Sequence, residues 1–341
     1  MGNVAFGILL AIIAGVINGS FAAPTKYTKL WKWENIWAVW AVVALLILPW
    51  ALAVATIPGL FSVYGSAGLS PMLLLLGFGL GNGFAQICFG LGLAAIGLSL
   101  GFAIAIGIST ALGALGPLVI QQPELLLTAK GMTIVGGVVL ILIGIGVCAI
   151  AGRMKEAAQN PAGAAQQTSS SGGGRKKFIY SILAGILSPT TNFAVAFGKP
   201  VLDRAAESGA QAMFQANALW PPFLAATLLP YFAYCVHLWR KNGTFKLYSR
   251  PGTGYYWLLG VIMALLWTGS LAMFGAVTTY MSTLGPILGW PLFMSIIIIT
   301  SNVWGFATGE WKGAGSKPVS FMLGGIVFLI LGFVTLALAS R

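Results

Sequence analysis

Ten stretches of this chain run for about twenty residues with almost no charge, and that pattern limits the fold more than any other feature. They fall at roughly 4–23, 36–57, 71–91, 98–120, 131–151, 178–198, 213–237, 255–276, 284–306 and 319–339. Each is long enough to cross the ~30 Å hydrocarbon core of a bilayer as a helix. The runs are continuous and lack the alternation of barrel strands, so helices are expected throughout. Soluble domains carry about 25% charged residues. Here only 7% are charged, 58% are hydrophobic, and the mean hydropathy is +0.92, too apolar for a water-facing surface. The sequence predicts an all-α integral membrane protein. Pro49, Pro117, Pro221 and Pro222 fall inside these spans, where neighbouring helices can re-satisfy the backbone groups that proline frees.

The formal net charge of +12 would suggest a nucleic-acid partner in a soluble protein. In a membrane protein it reads as loop lysines and arginines that set orientation, and no nucleic acid is expected. If residues 24–35 face the cytoplasm, 14 of the 18 Lys and Arg residues fall on that side, leaving Lys130, Lys199, Arg204 and Arg341 on the other. Both termini then lie outside. MGNVAFGILLAIIAGVI has no basic n-region and reads as the first span, not a cleaved signal. Cys88, Cys148 and Cys235 sit in apolar segments without paired spacing, so neither a disulfide framework nor a metal site is expected.

AAQNPAGAAQQTSSSGGGRKK (157–177) has the composition of a flexible linker. It divides the chain into a first five-helix repeat (1–152), a cytoplasmic linker (153–177) and a second five-helix repeat (178–341). AGVINGSFAAPTK (14–26) resembles AGILSPTTNFAVAFGKP (184–200). FGLGLAAIGLSLG (89–101) resembles FGAVTTYMSTLG (274–285), and GGVVLILIGIGV (136–147) resembles GGIVFLILGFVT (324–335). An odd number of helices per half makes the second half enter the membrane inverted, an architecture of secondary transporters with a central substrate site.

Enzyme chemistry has little to work with. The six carboxylates lie at or beyond span ends, and the one histidine, His237, sits at a helix end, so no catalytic residue is expected. Uncharged polar residues are better placed. Asn18, Asn82, Gln86, Asn192 and Asn217 fall inside spans or near their ends, with Trp267 and Trp290 among the aromatics. Any one amide could be interhelical glue. As a set they match a neutral polyol, since amides donate to and accept from hydroxyls while indole faces cover a sugar ring. Trp31, Trp33, Trp37, Trp40 and Trp50 read as interfacial belt or packing residues. The small-residue-rich stretch from Gly77 to Pro117 suits close helix contact.

APTKYTKLWKWENIW, GNGFAQICFGLGLAAIGLSLGFAIAIGI, NFAVAFGKP and GEWKGAGSKPV resemble the L-rhamnose–proton symporters of the drug/metabolite transporter superfamily. The likeness spans nearly the whole chain. It implies two inverted five-helix halves, a central sugar site, alternating access, and import of L-rhamnose or a related deoxy sugar with a proton across the bacterial inner membrane. The chain departs from the family pattern at 90–99 and 282–290, and it lacks an intramembrane acid. Glu310 is therefore the first candidate for coupling and Glu34 the second. Each has a plainer alternative, an ion pair with Lys312 or Lys32. The expected partners are a small neutral sugar, a proton or alternatively sodium, and the lipid bilayer, with a homodimer as one open arrangement and no cofactor. Competing readings keep the fold but export amino acids or drug-like metabolites, or make the chain a non-transporting scaffold or sensor.

Overall fold

The computed structural model describes residues 3–159 and 174–340. Among them ten helices are long and apolar enough to cross a membrane: α1 (Val4–Tyr27), α2 (Trp33–Thr56), α3 (Leu69–Ile96), α4 (Ser99–Gln121), α5 (Ala129–Gln159), α6 (Phe178–Phe197), α7 (Trp220–Asn242), α8 (Gly254–Tyr280), α9 (Ser282–Ala307) and α10 (Ser316–Ala339). Each coincides with a span read from the sequence, and no strand occurs among the described residues.

Proline decides where the helices bend and begin. Pro49 has no N–H and its ring crowds the carbonyl four residues back. The preceding turn, Val43–Ile47, widens to a π-helix, and Thr268 Oγ1 donates to the freed carbonyl of Ala44 at 3.3 Å. The seventh span starts later than the 213–237 expected. Gln215–Ala218 forms a separate 3₁₀ turn, and the helix begins at Trp220. Pro221 and Pro222 therefore occupy its first turn, where the missing N–H leaves nothing unsatisfied. Helix α6 is interrupted at Ser188–Pro189, separating Gly174–Leu187 from Thr190–Phe197. The start of the expected linker is also helical, because 153–159 complete α5, and Glu156 there accepts from Ser99 at 2.8 Å. The 174–177 end is likewise helical backbone, whereas residues 160–173 lie outside the described residues.

Two compact units emerge, and neither coincides with a half of the sequence. Unit 1 combines Met1–Phe84 with Thr190–Gly285, and unit 2 combines Ala85–Pro189 with Pro286–Arg341. In unit 1, α1 packs on α8, with Gly7 against Met281 and the Phe6 ring edge-on to Tyr280 at 4.9 Å. Gly79 lets α3 approach the Phe223 carbonyl of α7, and Thr227 Oγ1 donates to the Gly79 carbonyl at 3.0 Å.

Unit 2 centres on the antiparallel pair α5 and α10. A methyl on Gly144 would stand 3.0 Å from the Gly325 carbonyl oxygen, and one on Gly325 the same distance from that of Gly144. Gly137 and Gly332 face each other in the same way. Small residues allow this backbone approach, which substitutes for the hydrophobic drive that lipid cannot supply. Gly325→Val should lower the thermal stability of the purified protein by about 1–3 kcal/mol through overpacking. Gly324→Val, where an added carbon meets nothing within 4 Å, should leave the unfolding temperature nearly unchanged.

Candidate functional site

Tryptophans at 33, 37 and 40 fall at helical spacing along α2 and form a continuous aromatic row. Trp33 stacks on Trp37 with ring centroids 6.0 Å apart, and Trp37 meets Trp40 edge-on at 5.2 Å. Trp40 then meets Trp267 of α8 at 5.2 Å, while Phe21 of α1 lies 5.9 Å from Trp37 and 6.1 Å from Trp40. Tyr231 of α7 closes the group at 6.0 Å from Trp40. Trp40 is only 1% exposed, and its indole Nε1 has no hydrogen-bond partner among the described residues. Trp37 and Trp267 are half-buried.

Beside this aromatic wall sits a polar pair. Asn18 Nδ2 donates to Ser270 Oγ at 2.7 Å, and that hydroxyl donates to the Trp267 carbonyl at 2.7 Å. Two residues singled out from sequence, Asn18 and Trp267, thus meet through a serine. Trp40, read from sequence as belt or packing, is buried within the same group. Ser270 belongs with the uncharged polar residues that the sequence places inside the spans, whereas Phe21 and Tyr231 completed the arrangement without being foreseen as its members. The one available signal was the 33/37/40 spacing, which marks a helix face but not what that face meets.

The remaining candidates fall elsewhere. Asn82, 7% exposed, donates to Thr191 Oγ1 at 2.8 Å beside the interruption in α6, and Asn192 is fully buried on the same turn. Asn217 donates to Thr56 Oγ1 at 3.1 Å at the end of α2, and its Oδ1 has no partner among the described residues. Gln86 lies one turn beyond Asn82 on α3, where the chain has entered unit 2. Trp290 also belongs to unit 2, with its indole packed on Gly113 and donating to the Ser109 carbonyl at 3.1 Å.

Neither acid pairs as the sequence suggested. Lys312 is not the ion-pair partner of Glu310. That partner is Lys155, 3.8 Å away at the end of α5, whose ammonium also lies 4.9 Å from the Trp311 ring centre. Gln159 reinforces the contact by donating to the Glu310 and Lys312 carbonyls at 2.8 and 3.0 Å. The Glu310 side chain remains 44% exposed. Glu34 forms no ion pair with exposed Lys32 and is instead enclosed where the first turn of α2 packs against the end of α7. It is 4% exposed and accepts from Asn242 Nδ2 at 3.0 Å and Thr244 Oγ1 at 2.7 Å. This carboxylate is a tether between helix ends.

Ten apolar spans carrying buried amides and an aromatic wall, with no His/Cys/Asp/Glu cluster assembled among the described residues, fit a multi-pass membrane transporter. The family described as L-rhamnose-proton symport protein (RhaT) matches residues 1–340. The chain belongs to this family of secondary active transporters and is not an enzyme. It is 29% identical over 337 residues to the L-rhamnose-proton symporter of Salmonella gallinarum, covering 96% of each chain. The corresponding protein of Klebsiella pneumoniae is 29% identical over 347 residues, covering 99% of each, and that of Escherichia coli O1:K1 is 27% identical over 337 residues. Ten apolar spans and these relatives place the chain in the bacterial inner membrane.

The tether makes a direct prediction. Glu34→Ala leaves the buried Thr244 hydroxyl without its acceptor and should cost about 1–3 kcal/mol of thermal stability. Glu34→Gln keeps an acceptor oxygen and should cost less, so the order of the two melting temperatures is the measurement.

Proposed function

We propose that this protein imports L-rhamnose or a closely related deoxy sugar together with a proton, by alternating access. The observation that carries the reading is the Phe21–Trp37–Trp40–Trp267 wall beside the Asn18–Ser270 pair. A deoxy sugar has apolar C–H faces and a methyl group that suit indole surfaces. Its hydroxyls suit an amide, a serine and an unpartnered indole N–H. A drug or amino-acid exporter would need either no polar pair or a charge to meet a zwitterion, and no ionised side chain stands in this group. The names of the relatives favour the same cargo and a proton as its companion; nothing in them speaks for sodium or for a homodimer.

Two packing features support reading the halves as inverted repeats. Aligning GGVVLILIGIGV with GGIVFLILGFVT equates Gly137 with Gly325 and Gly144 with Gly332. Exchanging the halves therefore converts the Gly137–Gly332 contact into the Gly144–Gly325 contact. In the same way, α1 on α8 corresponds to α6 on α3, where Thr191 meets Asn82 and Ser181 fills the space beside Gly92. The lysine and arginine asymmetry supports placing the Lys26–Lys32 edge in the cytoplasm.

Asn82, Gln86, Asn192, Asn217 and Trp290 are retained as further candidates for contact with the sugar. For coupling, Glu310 is favoured over Glu34, since it is reachable by water and its ion pair can be made or broken, while Glu34 is held by two neutral donors. Counterflow of labelled L-rhamnose in proteoliposomes tests the cargo, and absence of saturable exchange for any deoxy sugar would sink it. Trp267→Ala should raise the half-saturation concentration by about tenfold, corresponding to ~1.4 kcal/mol. Glu310→Gln should abolish accumulation driven by a pH gradient while sparing counterflow; accumulation that persists would place the coupling group elsewhere.

A further inference from the structure

The edge of unit 1 formed by the 24–35 and 240–256 segments is cross-linked by hydrogen bonds and exposes charge of one sign. Trp31 Nε1 donates to the Leu247 carbonyl at 3.0 Å, and Asn35 Nδ2 to the Thr244 carbonyl at 3.1 Å. Tyr248 OH donates back to the Asn35 carbonyl at 2.8 Å. Burial pushes that hydroxyl well above its ordinary range, so it remains a donor. The Trp31 ring is enclosed edge-on by Tyr248, Tyr256 and Trp257 at 5.0–5.4 Å. The two segments are thus fastened into one platform.

That platform carries Lys29, Lys32, Arg240, Lys241, Lys246 and Arg250, all exposed. No ion pair among the described residues involves any of them. The acids of unit 1 are already committed. Glu34 is buried under the platform, while Asp203 and Glu207 pair with Lys199 and Arg204 at 2.7 and 2.6 Å on the short helix Lys199–Glu207. Between and beside the cations stand exposed Tyr27, Trp33, Phe245, Tyr255 and Trp257. Orientation by charge asks for cations and an aromatic belt but not for two segments fastened to each other by hydrogen bonds. Unopposed cations with aromatic side chains at the end of a span match a phosphodiester group seated above its own acyl chains.

The geometry points to a docking site for anionic phospholipid of the surrounding bilayer on this edge, with the six cations meeting the phosphate and the exposed rings lying along the glycerol and upper acyl region. The site is independent of the cargo. Delipidated protein supplied with equal phosphatidylglycerol and phosphatidylcholine should retain the former in native mass spectrometry and gain thermal stability from it. Replacing Lys29, Lys241, Lys246 and Arg250 together by Gln should weaken that retention by about tenfold or more, since each change removes a cation from beside the anionic headgroup. A Lys→Arg version at the three lysines should retain the lipid, and a control carrying Lys312→Gln and Lys317→Gln should behave as the parent. Equal retention of both lipids by the parent, undiminished retention by the Gln variant, or a loss as large in the control would overturn the site. Displacement of phosphatidylglycerol by inorganic phosphate would overturn it as well, since it would mark a site for free anions.

Discussion

In hydrocarbon a backbone N–H or C=O without a partner costs several kcal/mol, and the rest of this structure follows from that demand. It requires helices and then restricts every departure from them. The π-turn at Val43–Ile47 exists because Pro49 withdraws a donor, and it persists because Thr268 reaches a freed carbonyl. The result is useful. The turn lies next to Trp40 and Trp267, so a backbone irregularity, its side-chain partner and the aromatic wall occupy one neighbourhood. The break at Ser188–Pro189 similarly precedes the turn that carries Thr191 and Asn192.

Charge follows a complementary rule. Acids are few, and each described above is matched to a donor or cation outside the deepest part of the spans. Glu34 holds helix ends together, and Glu310 joins the α9–α10 turn to α5. The interior is left with neutral amides, hydroxyls and indoles, which suits a neutral solute and gives a charged one no partner.

Much of the fold was legible because span length and apolarity are set by bilayer thickness, a constraint that acts locally along the chain. All ten spans fall on apolar runs read directly, and the start of the seventh was displaced only because two adjacent prolines can either kink a helix or start one. The site was less legible. Asn18, Ser270 and Trp267 carry a visible polarity or size signal, but Phe21 and Tyr231 look like ordinary helix residues until α1, α2, α7 and α8 are packed. Ion-pair partners were misread for the same reason: Lys312 is near Glu310 in sequence, whereas Lys155 reaches it from a different helix. The boundaries of unit 1 and unit 2 cross between sequence halves, and no local pattern announces such interleaving.

The α5–α10 contact has an implication for ancestry. Under the repeat reading it is self-complementary: one surface, used twice, in opposite directions. That is the geometry of an isologous interface between identical subunits. A five-helix ancestor able to insert in both orientations would already have possessed this joint as a dimer, held by its own glycines. On the same reading, fusion of two copies would have required only a connecting segment, and each glycine would then answer to a partner encoded in the other half of the same chain.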